Sequence, residues 1–232
     1  MLSGQAEHHY RGTQGERYQK EKRAIPPSTL AWVARTRAEK LAAFVLPTDV
    51  VLEYGAGFGW NLFHLECKKK LAHDLEDFLL PEIRTAGVEF VADTQSIETG
   101  TIDVILCHHA LEHLMDPADA LAEMGRLLRR DGKLLLFVPF EWEGRYQRFN
   151  PAEPNHHLFS WNAQTLGNLV TETGFQVADA GTGPFGYDRF AAAWASKLRI
   201  GETGFRAIRS LLQLTMRTRE VRVVAHPSKS DL

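Results

Sequence analysis

Three glycines, Gly55, Gly57 and Gly59, alternate within VLEYGAGFGWN, directly after an apolar run. Glycine takes positive φ at no steric cost and lets another group approach the main chain. Between the first strand and the next helix of an open α/β sheet, such a turn lies where a nucleotide-like ligand binds. A tight turn with no ligand is the alternative. A dinucleotide fingerprint would place a third small residue at the position held by Trp60. An indole there opposes the close helix–strand packing of that fingerprint, which leaves a nucleoside cofactor without pyrophosphate as the better match. Asp74 stands 19 residues after Gly55, close to the spacing at which a carboxylate accepts hydrogen bonds from ribose hydroxyls. Its other reading is an acid at a helix N-terminus.

Histidine is the second chemical signal. CHHALEHL contains His109-x-x-Glu112-His113, the literal pattern of one zinc protease class. That chemistry needs both histidines on one helical face, a third ligand and an open position. Here the pattern begins at the end of an expected parallel strand, so no metal is expected, and Glu112 and His113 read as a hydrogen-bonded pair that shapes the loop. A second pair, His156-His157, lies in PFEWEGRYQRFNPAEPNHHLFSW, where Phe140, Trp142, Tyr146, Phe149 and Phe159 precede Trp161. Aromatic faces and arginines suit a ring, a sugar or a lipid-like chain; incidental surface aromatics are the alternative.

The elements that must position these groups follow from pattern. The 232 residues are 44% apolar and 24% charged, with a formal net charge of −2. That is an ordinary globular mixture with room for one ample core. The charge balance gives no reason to expect nucleic acid as a partner. Two cysteines, Cys67 and Cys107, suit a reducing cytoplasm better than a disulfide scaffold. The polar residues 1–23 contain no apolar leader, and no apolar run is long enough to span a bilayer. Strands are expected at 50–54, 70–73, 88–91, 104–108, 133–138, 175–180 and 220–225. Helices are expected at 29–44, 60–66, 76–86 (broken or kinked by Pro81), after Asp116, and at 162–173, 189–197 and 202–214. Residues 1–25 read as a helix-poor arm or lid. Alternation of strand and helix through residues 50–140 predicts an α/β, Rossmann-like doubly wound sheet with helices on both faces.

With VLEYGAGFG, Asp74, VEFVADTQSI, IDVILCHHALEHLMDP and LLRRDGKLLLFVPF in that order, residues 45–180 resemble the class I S-adenosylmethionine-dependent methyltransferases of the type 11/12/23 group. The resemblance implies seven strands, mostly parallel, with the last antiparallel. It implies that Glu53, Gly55, Ala56 and Gly57 surround the methionine part of S-adenosylmethionine. Asp74 would hold the ribose, Asp93 and Thr94 would meet the adenine, and Cys107 and His108 would lie beside the sulfonium. Contact of Arg35 or Arg37 with the cofactor carboxylate is one option; a solvated helix face is the other. The fourth strand ends toward the methyl group in this fold, so His108 or His109 is a candidate base, with His157 next. Base assistance of this kind contributes about 10²–10⁴ in rate.

The division expected is a lid or cap over residues 1–45 and a methyltransferase domain over 46–232. The latter carries a substrate loop at 139–161 and a helical insertion at 188–215. The function expected is methyl transfer to an oxygen, or second to a nitrogen, of a small-molecule or glycan/lipid-type acceptor by a monomer or homodimer. A non-catalytic cofactor-binding scaffold and a nicotinamide oxidoreductase are the competing functions. Arginines scattered through the amphipathic 188–215 segment allow contact with an anionic membrane, but docking on the core or a second subunit is favoured.

Overall fold

The computed structural model describes residues 10–23, 25–141, 147–150, 153, 155–216 and 218–228. Two N-terminal helices, α1 (Gly12–Arg23) and α2 (Leu30–Ala42), flank a 3-10 turn at Pro27–Thr29. Then come β1 (Val50–Tyr54), β2 (Lys69–His73), α3 (Pro81–Thr85), β3 (Val88–Val91), β4 (Ile102–His108), α4 (Pro117–Leu127) and β5 (Leu128–Pro139). The chain closes with α5 (Ala163–Glu172), β6 (Phe175–Pro184), α6 (Asp188–Leu198), α7 (Gly201–Thr215) and β7 (Arg219–Pro227).

The strands form one seven-stranded sheet in the order β3-β2-β1-β4-β5-β7-β6. Strands β1 to β5 pair in parallel, and β7 runs antiparallel to both of its neighbours. This is the doubly wound architecture that the sequence predicts. The chain winds outward from β1 to β3 and then returns to place β4 on the other side of β1. Order reverses there, so the carboxyl ends of β1 and β4 border a crevice.

Period-two patterning divides the sheet between two cores. Val51, Val104, Leu106, Leu135 and Phe137 pack under α2, α6 and Phe205 of α7. Leu52, Ile105, Cys107, Leu134 and Leu136 face α4 and α5. Helix α2 buries Leu30, Val33, Ala34, Ala38 and Leu41 on one stripe. Helix α4 starts cleanly because Asp116 accepts from the Asp119 amide and Pro117 occupies the first turn.

Four expectations about elements change. The arm before residue 25 contains helix α1 rather than being helix-poor. No α-helix follows the glycine turn. Instead Leu62 N donates to Gly59 O and Leu65 N to Leu62 O, both i→i+3 bonds. Pro81 starts α3 instead of interrupting a longer helix, since its ring fits the first turn and its missing N–H costs nothing there. Strand β6 continues through Gly181-Thr182-Gly183-Pro184 as a sheet edge, the position where a strand tolerates glycine and proline.

Candidate active site

The glycine turn is fixed by backbone conformation and by its neighbours. Gly55, Gly57 and Gly59 have φ of 76°, 52° and 78°, the left-handed region that favours glycine. A Cβ on Gly55 would stand 2.3 Å from the Cβ of Ala110, and one on Gly59 would stand 2.7 Å from Leu79. Protein atoms therefore account for the missing side chains at Gly55 and Gly59. The Gly57 amide donates to Asp74 Oδ2 at 2.7 Å, and the Leu75 amide donates to Oδ1 at 2.8 Å. Asp74 thus pins the turn to the end of β2.

Two cavities open beside this turn. The larger has a volume of about 460 Å³ and is walled by Glu53, Gly55, Ala56, His108, His109 and His157, among others. That volume suits a small-molecule site. The smaller, about 100 Å³, is walled by Tyr10, Tyr18, Gln19, Gly55, Asp74 and His109. Gly55 and His109 belong to both.

Glu53 is buried, and accepts from the Asn61 side chain at 2.5 Å. At the end of β4, His108 and His109 stack with ring centroids 4.6 Å apart. His109 has φ of 54°, a left-handed conformation that few non-glycine residues adopt. Its Nε2 lies 3.3 Å from Glu220 Oε2 and its Nδ1 3.9 Å from Glu112 Oε1. Lys40 forms a close ion pair with Glu220 and lies 3.4 Å from His108 Nε2. Burial drives His109 down to about 4, against the pull of Glu220. Burial raises Glu220, but the hydrogen bond from His109 and the charge of Lys40 outweigh it and hold the carboxyl below its ordinary range. Burial also lowers Lys40, opposed by Glu220. A neutral imidazole that donates Nε2–H to Glu220 keeps a lone pair on Nδ1.

Other expected residues stand elsewhere. Cys107 is fully buried in the core beneath α4 and α5, where burial pushes its thiol up. Asp93 caps the 3-10 turn Thr94–Ser96, and Thr94 is buried beneath it. Cys107, Asp93, Thr94 and Gly57 do not wall either cavity. Arg37 does, lying 5.2 Å from the Trp60 ring and 3.4 Å from Asp188. Arg35 instead pairs with Glu202 of α7. Trp142 and Tyr146 lie outside the described residues.

Sequence reading missed Glu220, Lys40 and Tyr10. Glu220 carried a usable signal, a lone acid at the start of the apolar run VRVVA. Nothing local marks Lys40 or Tyr10, whose partners are remote in sequence.

The buried Gln19 Oε1 and Trp60 Nε1 have no hydrogen-bond partner among the described residues, and both side chains wall these cavities. Buried polar atoms of this kind call for a polar occupant. A carboxylate at the end of β2, a buried acid at the end of β1 and this polar lining fit a nucleoside-bearing amino acid.

Fold and site together define an α/β protein built for such a cofactor. The model of the type 23 methyltransferase domain matches residues 26–180, and the chain belongs to that methyltransferase-domain family. Proteins from two strains of Mycobacterium tuberculosis, each named a probable S-adenosylmethionine-dependent methyltransferase, are 27% identical over 132 residues. That stretch covers 54% of this chain and 48% of theirs. The chain spans about half the length of the curated relatives it matches. Among solved structures, the complex of a methyltransferase with the Trm112 methyltransferase activator of Haloferax volcanii gives a TM-score of 0.62 at 12% identity. It covers 98% of this chain and 100% of the other. A Bacillus halodurans structure named as a methyltransferase gives 0.55 at 19% identity, covering 87% and 100%. The phosphoethanolamine N-methyltransferase 2 of Haemonchus contortus, solved with S-adenosylhomocysteine, gives 0.58 at 13%, covering 96% and 59%. At these identities the structures speak for the fold.

Proposed function

We propose that the chain transfers a methyl group to an oxygen, or second to a nitrogen, of a small-molecule or glycan/lipid-type acceptor. S-adenosylmethionine supplies the activated methyl on its charged sulfur when bound. In this reading Asp74 holds the ribose from the end of β2, and Glu53 with Gly55 and Ala56 borders the methionine part. Arg37, in the wall of the larger cavity, faces the cofactor carboxylate. Asp93 and Thr94 at the end of β3, the family's adenine positions, and Cys107, its sulfonium position, wall neither cavity and act in this reading only by shaping the backbone around them.

The arrangement of His109 against Glu220 carries the reading. With Nε2–H given to Glu220, the His109 lone pair falls on Nδ1, and His109 walls both cavities at the carboxyl end of β4. Glu220 fixes the ring and stabilises it when it takes the acceptor proton. His108 stacks behind it, and His157 stands in the same cavity. Holding acceptor, methyl and sulfur in line can contribute on the order of 7–11 kcal/mol. The protein's remaining work is therefore orientation and water exclusion. Tyr18 of helix α1 and Phe140, Asn155 and His157 of the described loop residues provide the cover, and the acceptor enters between them.

The test is incubation of the purified protein with methyl-labelled S-adenosylmethionine and a host metabolite extract, with identification of the labelled product. Label on a hydroxyl-derived ether or ester supports oxygen transfer. Label on an amine moves the acceptor to nitrogen, and absence of any labelled product removes the catalytic reading.

A further inference from the structure

The histidine motif set aside as a metal site acquires a third ligand through folding. Glu112, His113 and His157 each offer one ligand atom, and these atoms lie within 4.8 Å of one another. The sequence separates His113 from His157 by 44 positions. The fold joins them because the Leu158 amide donates to Glu112 O at 2.8 Å. Their rings then meet edge to face at a centroid distance of 4.9 Å.

Both imidazoles are oriented by a partner behind them. Tyr10 Oη faces two carbonyl oxygens to which it can only donate, Asn155 O at 2.9 Å and His156 O at 3.4 Å. With the tyrosine proton turned to a carbonyl, the contact of 2.8 Å to His113 Nδ1 has the imidazole N–H as donor. That assignment puts the His113 lone pair on Nε2, 3.8 Å from Glu112 Oε1. His157 Nδ1 lies 2.7 Å from Glu141 Oε1. A carboxylate only accepts, so Nδ1 carries the proton and the lone pair again falls on Nε2. A hydrogen-bond acceptor behind each ligating histidine, most often a carboxylate, carbonyl or water, is the usual second layer of a metal site.

A competing triad, His108, His109 and Glu220, has similar spacing. There the Lys40 ammonium already pairs with Glu220 and lies 3.4 Å from His108 Nε2. The place of a cation is taken by protein. Around Glu112 Oε1 stand His109 Nδ1 at 3.9 Å and His113 Nε2 at 3.8 Å.

We propose that Glu112, His113 and His157 bind a divalent first-row transition ion through one carboxylate oxygen and two Nε2 atoms. Two imidazoles and a carboxylate suit zinc, iron(II), cobalt or manganese, and three protein ligands leave open positions. Ligands about 2.0–2.1 Å from a tetrahedral ion lie roughly 3.3–3.4 Å apart, so the three side chains close by about an ångström on binding. All three wall the larger cavity, and an acceptor oxygen could take an open position. That use rests on the methyl-transfer reading; the ion site does not.

The test titrates chelator-treated full-length protein with cobalt(II) alone, reading visible d–d absorption and heat. One equivalent should bind, with zinc displacing it. His113→Ala and His157→Ala should each weaken binding at least tenfold, and Glu141→Gln should weaken it by about 10–100-fold as a second-layer change. The His157 variant, in a surface loop, keeps the test valid if changes at the buried Glu112 unfold the protein. Absence of cobalt bands overturns the site. So does cobalt binding that survives both histidine variants or is lost only in His108→Ala. S-adenosylmethionine is titrated against the same samples. Cobalt binding without cofactor binding contradicts methyl transfer and leaves the ion site standing, whereas cofactor binding without cobalt binding does the reverse.

Discussion

At the scale of single residues, the site depends on conformations that few side chains tolerate. A Cβ at Gly55 meets both a positive φ and the Ala110 side chain. Gly55→Ala should therefore cost about 1–3 kcal/mol, the usual price of a strained backbone position, read as a fall in denaturant midpoint. A midpoint equal to wild type would show that the turn is slack. For the base, His109→Asn is the informative change, because asparagine accepts the left-handed conformation that His109 adopts. Cofactor affinity should persist while turnover falls by about 10²–10⁴. Unchanged turnover would move the base to His108 or His157. The glycine pattern and Asp74 were legible because they obey local spacing. The pairing of Glu220 with Lys40 was not, because it joins the start of β7 to the last turn of α2.

At the scale of elements, helix α7 is docked on the domain through its arginines. Arg206 makes two bonds of 2.7 Å to Glu39 of α2 and further bonds to Glu202. Arg209 bonds Asp188 at the start of α6. The arginines read from sequence as candidates for an anionic surface are, in these two cases, engaged with acids of the same chain. Hydrogen bonds from Arg206 and Arg35 hold Glu39 and Glu202 below the ordinary carboxylate value of 4.5. Groups lowered on folding contribute stability that is full above 4.5 and is lost as pH falls through their folded values. Melting temperature should therefore drop on acidification below pH 4.5, and less steeply in Arg206→Ala. Parallel acid limbs for the two proteins would assign the loss to other groups. Periodicity exposed most strands and α4, α5, α6 and α7, because each spends one face on a core. It failed after the glycine turn, where successive i→i+3 bonds replace a helix, and that choice is made by tertiary packing of Trp60 and Leu62.

At the scale of the whole molecule, the sheet is complete without helix α1. Both buried cores begin at or beyond Leu30, with Ile25 packed against the first. Yet Tyr10, Tyr18 and Gln19 of this N-terminal segment wall the smaller cavity beside Asp74. Removing residues 1–23 should leave cooperative unfolding intact and accelerate cofactor release severalfold, followed by stopped-flow fluorescence. An unchanged release rate would remove α1 from its role as cover. Overall architecture was readable because strand–helix alternation admits few topologies. The gathering of Glu112, His113 and His157 was not, since it depends on how a long loop folds back.

The central claim is that the crevice between β1 and β4 holds S-adenosylmethionine, with Asp74 on its ribose. Calorimetric titration of wild type and Asp74→Ala tests it most directly. One equivalent should bind to wild type, and at least tenfold more weakly to a variant that still unfolds cooperatively. Equal affinities, or no binding to wild type, would contradict the account.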